Sequence, residues 1–133
     1  MPIGIRLYFE CFSTNYYFSE QSKHRMVGVR LKNKLKAEVL AQLTGKYSRI
    51  HLSDCPVGID YTFFSCHKYD VDNYSAMVKY IQDCLVFRGI LQDDNPKIIN
   101  EIRIRVRQIS APVNEGVYIR FYRNSEIEYP DVV

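Results

Sequence analysis

The sequence predicts an α/β fold of the α+β kind: one domain, a mixed sheet of four or five strands, and two main helices packed on it. Three observations predict it. Apolar residues alternate with polar ones near the start of the chain and again in its last third, as in half-buried strands. Two intervening stretches repeat apolar residues at helical spacing. The resulting order, strand–helix–strand–helix–strand–strand, suggests a mixed sheet with helices on it. The 133 residues suit a single domain over 1–133, and neither repeats nor low-complexity tracts divide them.

The elements follow in order. Ile3, Ile5, Leu7, Phe9 and Cys11 alternate with Gly4, Arg6, Tyr8 and Glu10, so the first strand is predicted there. Ser13, Thr14 and Asn15 open a loop that carries Tyr16 and Tyr17. Leu31, Leu35, Val39, Leu40 and Leu43 predict a helix from about Val29 to Leu43, with Gly45 as its stop. Val57 to Cys66 is rich in Tyr, Phe, Ile and Thr and predicts the second strand. Tyr74, Met77, Val78, Ile81 and Leu85 predict a helix over Asn73 to Val86, N-capped by Asp72. Ile102, Ile104 and Val106 alternate with Arg103, Arg105 and Arg107, a strand with one apolar and one arginine face. Asn114-Glu115-Gly116 gives a turn into a last strand through Val117, Ile119 and Phe121.

Composition narrows the function classes. No run of eighteen apolar residues exists, so no membrane-spanning helix is expected, and Arg6 and Glu10 interrupt any apolar leader. An intracellular, cytoplasmic protein without a membrane partner is the expectation. Cys11, Cys55, Cys66 and Cys84 show no CxxC spacing, and His24, His51 and His67 are scattered. Buried free thiols are therefore favoured over zinc or disulfides. The net charge is only +3, but Lys23 to Arg49 holds eight Lys or Arg and one acid, Glu38. Concentrated basic faces beside one acidic knot fit a nuclease better than a charged tail.

That knot is Asp70-Val71-Asp72-Asn73 together with Asp93-Asp94. A helix of about fourteen residues rises roughly 21 Å at ~1.5 Å per residue. Phe87 to Gln92, if extended, returns about 20 Å at ~3.3 Å per residue. The matched lengths let all four acids meet at one end. Four carboxylates cannot all stay ionised together near neutral pH without a counter-charge. Mg²⁺, or Mn²⁺ in its place, supplies it through oxygen ligands, with Asp70, Asp72, Asp93 and Asp94 as the candidate set. Such an ion can polarise a phosphate and activate a water, and the adjacent helix start favours anions. The plainer reading is a pair of Asp-rich caps and solvated turns. An EF-hand is excluded, because Tyr74 and Ser75 stand where a ligand and a glycine are required.

Taken together, Asp70-x-Asp72-Asn73, Lys79-x-x-x-Asp83-x-Leu85 and Asp93-Asp94 resemble the RusA-like Holliday junction resolvases. The sharp part of the resemblance covers Asp70 to Asp94; Ser13 to Tyr17 resembles an early segment of that family more loosely. The resemblance implies a small homodimeric, Mg²⁺-dependent endonuclease, often of phage or prophage origin, that cuts symmetrically across four-way DNA. It implies Asp70, Asp72 and Asp94 as metal ligands and catalytic residues, and Asp93 as a further ligand or supporting acid. Lys79 corresponds to the active-site lysine and Asp83 to the helix acid after it. The family lysine usually follows the Asp-Asn turn by three residues, where this chain has Ala76. Lys79 regains that place if Tyr74 and Ser75 belong to a longer loop; otherwise Lys79 pairs with Asp83 on the helix surface, and Lys68 or Lys97 supplies the charge. Tyr69 replaces the Pro or Arg often found before the first acid.

Arg103, Arg105 and Arg107 lie about 6.6 Å apart on one strand face, suited to tracking a DNA backbone, and Arg120 can join them. The alternative is a solvated face that deters aggregation. Lys23 and Arg25, beside His24, sit in a segment placed to close over DNA, whereas Lys32, Lys34 and Lys36 read as a solvated helix face. Tyr16 and Tyr17 are core anchors in preference to base-stacking groups. The expected function is Mg²⁺-dependent resolution of Holliday junctions in recombination and repair, with metal-activated water attacking the phosphate in line. The rivals are a branched-DNA-binding protein with weakened catalysis and a metal-stabilised interaction domain without a DNA role.

Overall fold

A computed structural model describes residues 3–12, 25–53 and 56–123, apart from the side chains of 25–28. Strand β1 spans Ile3–Tyr8, helix α1 Arg25–Gln42, strand β2 Val57–Ser65, helix α2 Ser75–Phe87, strand β3 Ile99–Gln108 and strand β4 Gly116–Arg123. Short 3-10 turns occupy Gly45–Arg49, Val71–Tyr74 and Pro112–Asn114. The strands form one four-stranded mixed sheet in the order β1-β4-β2-β3. β4 pairs antiparallel with both β1 and β2, while β2 and β3 run parallel. The fold is thus α+β, a single small domain with two main helices.

Strand alternation decides which face meets the helices. Ile5, Leu7, Ile59, Tyr61, Phe63, Val117, Ile119 and Phe121 point to one side and are buried with Leu35 and Val39 of α1 and Leu43 just past its end. Tyr74 and, from α2, Met77, Ile81 and Leu85 complete that core. The helical stripes are the expected ones, since these spacings leave one continuous apolar face on each helix. Gln42 clasps the edge strand β1, its side chain accepting from the Tyr8 N–H at 2.7 Å and donating to the Tyr8 carbonyl at 2.6 Å. No described helix is long and apolar enough to cross a membrane.

Several boundaries differ from the sequence expectation. β1 ends at Tyr8, although Phe9 and Cys11 remain buried. α1 begins at Arg25, before the expected Val29. α2 begins at Ser75 because the chain first makes the 3-10 turn Val71–Tyr74; Asp72 lies inside that turn and is not the N-cap. Ser13 to Tyr17 and Lys23 lie outside the described residues, and so does the Arg25 side chain.

Candidate functional site

The expected meeting of the four acids does not occur within one chain. The turn Val71–Tyr74 follows β2, so Asp70 and Asp72 stand at the carboxyl end of the parallel pair β2–β3. There the Asn73 N–H donates to the Asp70 carbonyl at 3.0 Å, and both carboxylates are exposed. Asp93 and Asp94 stand at the opposite end. The segment that carries them is tied to the start of β2: the Leu52 N–H donates to the Ile90 carbonyl at 2.9 Å, and the Val57 N–H to the Ile98 carbonyl at 2.8 Å. The eight steps of β2 alone span about 26 Å at ~3.3 Å each. Among the described residues, no three His, Cys, Asp or Glu side chains are grouped so as to hold a metal ion.

The physical reason lies at the end of α2. Phe87 to Gln92 is not extended. The Ile90 N–H donates to the Leu85 carbonyl and the Gly89 N–H to the Val86 carbonyl, both at 3.0 Å, with Gly89 at φ +76°. This is a Schellman closure, in which a left-handed glycine turns the chain and Ile90 packs back over the helix end. Ile90 and Leu91 are buried. Asp93 then closes a turn of its own: its Oδ1 accepts the Asp94 N–H at 2.8 Å and its Oδ2 the Asn95 amide at 3.1 Å. Those bonds, the backbone one first, hold its carboxyl below the ordinary carboxylate range.

Asp70 and Asp72 show no side-chain partner among the described residues, and Lys68 is exposed beside them. Lys79 is exposed on α2 and does not pair with Asp83. Asp83 binds Lys36 of α1 instead, at 3.3 Å. Lys32 and Lys36 lie over the Tyr80 ring, at 5.5 and 5.7 Å, so this part of the lysine-rich helix face braces the two helices. Lys97 sits at the Asp93 end, away from Asp70.

The arginine strand lies on the sheet face opposite the helices. In-register pairing arranges that face in rows across β1, β4, β2 and β3. One row reads Tyr8, Gly116, Phe64, Arg107; the next Arg6, Tyr118, Thr62, Arg105; the third Gly4, Arg120, Asp60, Arg103; the last Tyr122, Gly58, Glu101. Five arginines thus meet two carboxylates. Arg120 donates twice to Asp60 Oδ2, at 3.1 and 2.8 Å, and Arg103 donates to Glu101 at 2.9 Å. Both guanidinium groups lie over the Tyr122 ring, at 5.3 and 5.4 Å. Arg6 is held between the Tyr8 and Phe64 rings, at 4.3 and 4.4 Å, and donates to the Leu7 and Asn114 carbonyls. Of the three strand arginines, Arg103 is therefore occupied, whereas Arg105 and Arg107 are exposed with no partner among the described residues.

Burial leaves polar atoms unpaired beneath this layer. Asp60, 3% exposed, keeps Oδ1 without a hydrogen bond, and Tyr122 OH and Glu101 Oε2 likewise meet no partner at full hydrogen-bond geometry. Burial, and then the nearby Glu101 carboxylate, push the Tyr122 phenol up to about 12. A second buried acid, Glu115, accepts the Cys66 N–H at 3.0 Å and lies 3.9 Å from His67. Close by, a cleft of about 180 Å³ is lined by Cys11, Leu31, Lys34, His67 and Tyr69. Burial first, then Glu115, raise the Cys11 thiol to about 12, which makes it an inert core group rather than a nucleophile.

Sequence reasoning missed Arg6, Tyr8, Tyr118 and the Asp60–Arg120 pair as parts of one surface. The signal was present: the polar positions of the first and last strands share the parity that the arginine strand shows, and the sheet order brings them to one face. Compared with models of known protein families and with curated proteins, the chain matches none.

Proposed function

We propose that this protein is a metal-dependent endonuclease that acts on four-way DNA junctions as a homodimer. The observation that carries the reading is the position of the unpaired Asp70–Asp72 turn. It sits at the carboxyl end of two parallel strands, next to Lys68 and to the end of β3, where Arg107 has no partner among the described residues. Carboxyl ends of parallel strands are where open α/β sheets place their ligands, and an acid turn beside free cations suits a metal ion set against a phosphate. Mg²⁺, with Mn²⁺ as substitute, fits oxygen donors of this kind. One chain does not hold enough of them together, so the site within a single protomer does not fit the ion.

A two-fold axis supplies a remedy. An axis perpendicular to the strands reverses their direction, so the carboxyl end of one protomer can lie beside the amino end of the other. Asp93 and Asp94 of the second copy then join Asp70 and Asp72 of the first. The test is cleavage of a synthetic mobile junction in Mg²⁺. Wild type should cut it and Asp72→Asn should not; intact substrate with both proteins at every metal concentration rejects the reading.

The separation of the two acid pairs favours one rival: a branched-DNA-binding protein with weakened catalysis. It binds junctions in preference to duplex and leaves them uncut. Mobility-shift and cleavage assays on the same junction separate the two.

A further inference from the structure

We infer that the helix-free face of the sheet is a stacking platform for unpaired nucleotides, with Tyr8 and Tyr118 receiving bases and Arg105 and Arg107 holding phosphates. This deepens the junction reading by naming the DNA segment bound, and its base-receiving residues, Tyr8 and Tyr118, are separate from Asp70 and Asp72.

The rings are laid out for it. A Cβ at Gly4 would meet the Tyr118 hydroxyl at 2.2 Å and one at Gly58 the Tyr122 ring at 2.2 Å, so both rings lie down across a glycine. Tyr122 is closed over by Arg103 and Arg120, but Tyr118 is 40% exposed and Tyr8 50% exposed. Arg6 covers one face of the Tyr8 ring and Gly4 lies under Tyr118, so a base would take the outer face of each. Every base has a π face, so stacking of this kind accepts any unpaired base, whereas bases within a duplex are already stacked on one another.

The cations sit at matching places. Tyr118 and Arg105 share a row with the small Thr62 between them, about 10 Å apart at ~4.8 Å per strand. Arg105 and Arg107 follow each other along β3. Beyond the Tyr8 row the face opens into a cleft of about 850 Å³, lined among others by Arg6, Phe64, Arg107, Gln108, Ser110 and Asn114. Its amide and hydroxyl groups can meet base edges.

Charge selects the occupant. Five arginines against two carboxylates, both already paired to arginine, suit a polyanion. A second copy docked face to face would set arginine against arginine, a repulsive like-charge contact.

The experiment uses a labelled 15-nucleotide oligo-dT and a 15-base-pair duplex, titrated with the full chain in EDTA and followed by anisotropy. Oligo-dT should bind more tightly than the duplex. Tyr118→Ala and Tyr8→Ala should each weaken it about tenfold, and Arg105→Gln should make the salt dependence shallower by about 0.7. The chain has no Trp, so quenching of tyrosine emission by unlabelled oligo-dT reads stacking directly, and Tyr118→Ala should reduce it. Because the Tyr118 ring covers Gly4, Tyr8→Ala serves as the variant least tied to folding. Wild-type affinity in both tyrosine variants, tighter duplex binding, or a loss of self-association in these variants without loss of oligo-dT binding would each overturn the inference. Binding in EDTA is independent of metal-driven cleavage, so the two proposals can fail separately. A chain that stacks oligo-dT but never cuts junctions defeats only the proposed function. One that cuts junctions with both tyrosines dispensable for oligo-dT binding defeats only the platform.

Discussion

The two acid pairs look alike in the sequence and do different work in the fold. Asp93 spends both carboxylate oxygens on its own turn, against the Asp94 N–H and the Asn95 amide. Asp70 and Asp72 make no such bonds with any described residue, although their turn is just as short. A carboxylate that caps its neighbours is structural first; one left unpaired and exposed at a strand end is free to take a ligand. Acid spacing along a chain therefore identifies turns readily, and sites only when the path between the turns is known.

The largest effect expected from this contrast is on cleavage. Asp72→Asn should abolish junction cutting and leave the thermal midpoint where it was, because the side chain has no partner among the described residues. Asp94→Asn should also abolish cutting if the second copy completes the site. Mixing the two inactive variants should then restore about a quarter of wild-type nicking, since half the dimers are mixed and each rebuilds one of its two sites. No recovery from a mixture shown to exchange subunits rejects the shared site.

Much of this molecule was legible beforehand. The apolar stripes of both helices fell on the residues that form the core, because 3.6-residue periodicity and burial are the same constraint seen twice. The arginine parity of β3 was equally readable. The path after α2 was misread because length alone was matched, and an extended return has the same reach as many other routes. Gly89 followed by Ile90 and Leu91 carried the missing information: glycine just past a helix with apolar residues after it marks a closure that reverses the chain locally. The shared face of β1, β4, β2 and β3 was hidden for another reason. Parity within a strand is local, but which strands are neighbours is set by tertiary packing, and the order β1-β4-β2-β3 cannot be read from any one of them.

The closure itself can be broken. Gly89→Ala should destabilise the protein by about 1 kcal/mol, measured by urea denaturation, because alanine resists the left-handed backbone that this position requires. Space is not the obstacle, since a Cβ there meets only the His51 ring, at 3.8 Å. The same substitution should lower cleavage less than Asp72→Asn does. An unchanged midpoint would show that the turn does not depend on Gly89.

A smaller effect separates the acid pairs on stability alone. Asp93→Ala should lower the thermal midpoint measurably, since it strips the Asp94 N–H and the Asn95 amide of their acceptor, whereas Asp70→Ala should not. Equal losses from the two variants would mean that the Asp70 turn is as structural as the other, and the contrast would fail.

The smallest effect is the pH dependence of that capping. The folded-state pKa of Asp93 lies below its ordinary value near 3.8, so around that pH the unfolded chain binds the proton more readily than the folded one. The Asp93 contribution is therefore complete above the ordinary value and drains away as pH falls through the lower folded value. Urea midpoints of wild type and Asp93→Asn should differ at pH 6, and the gap should narrow by pH 2.5. A gap for Asp93→Asn that stays constant down to pH 2.5 would show that the charged carboxylate is not what holds the turn; an Asn side chain would then cap it less well for reasons of geometry alone.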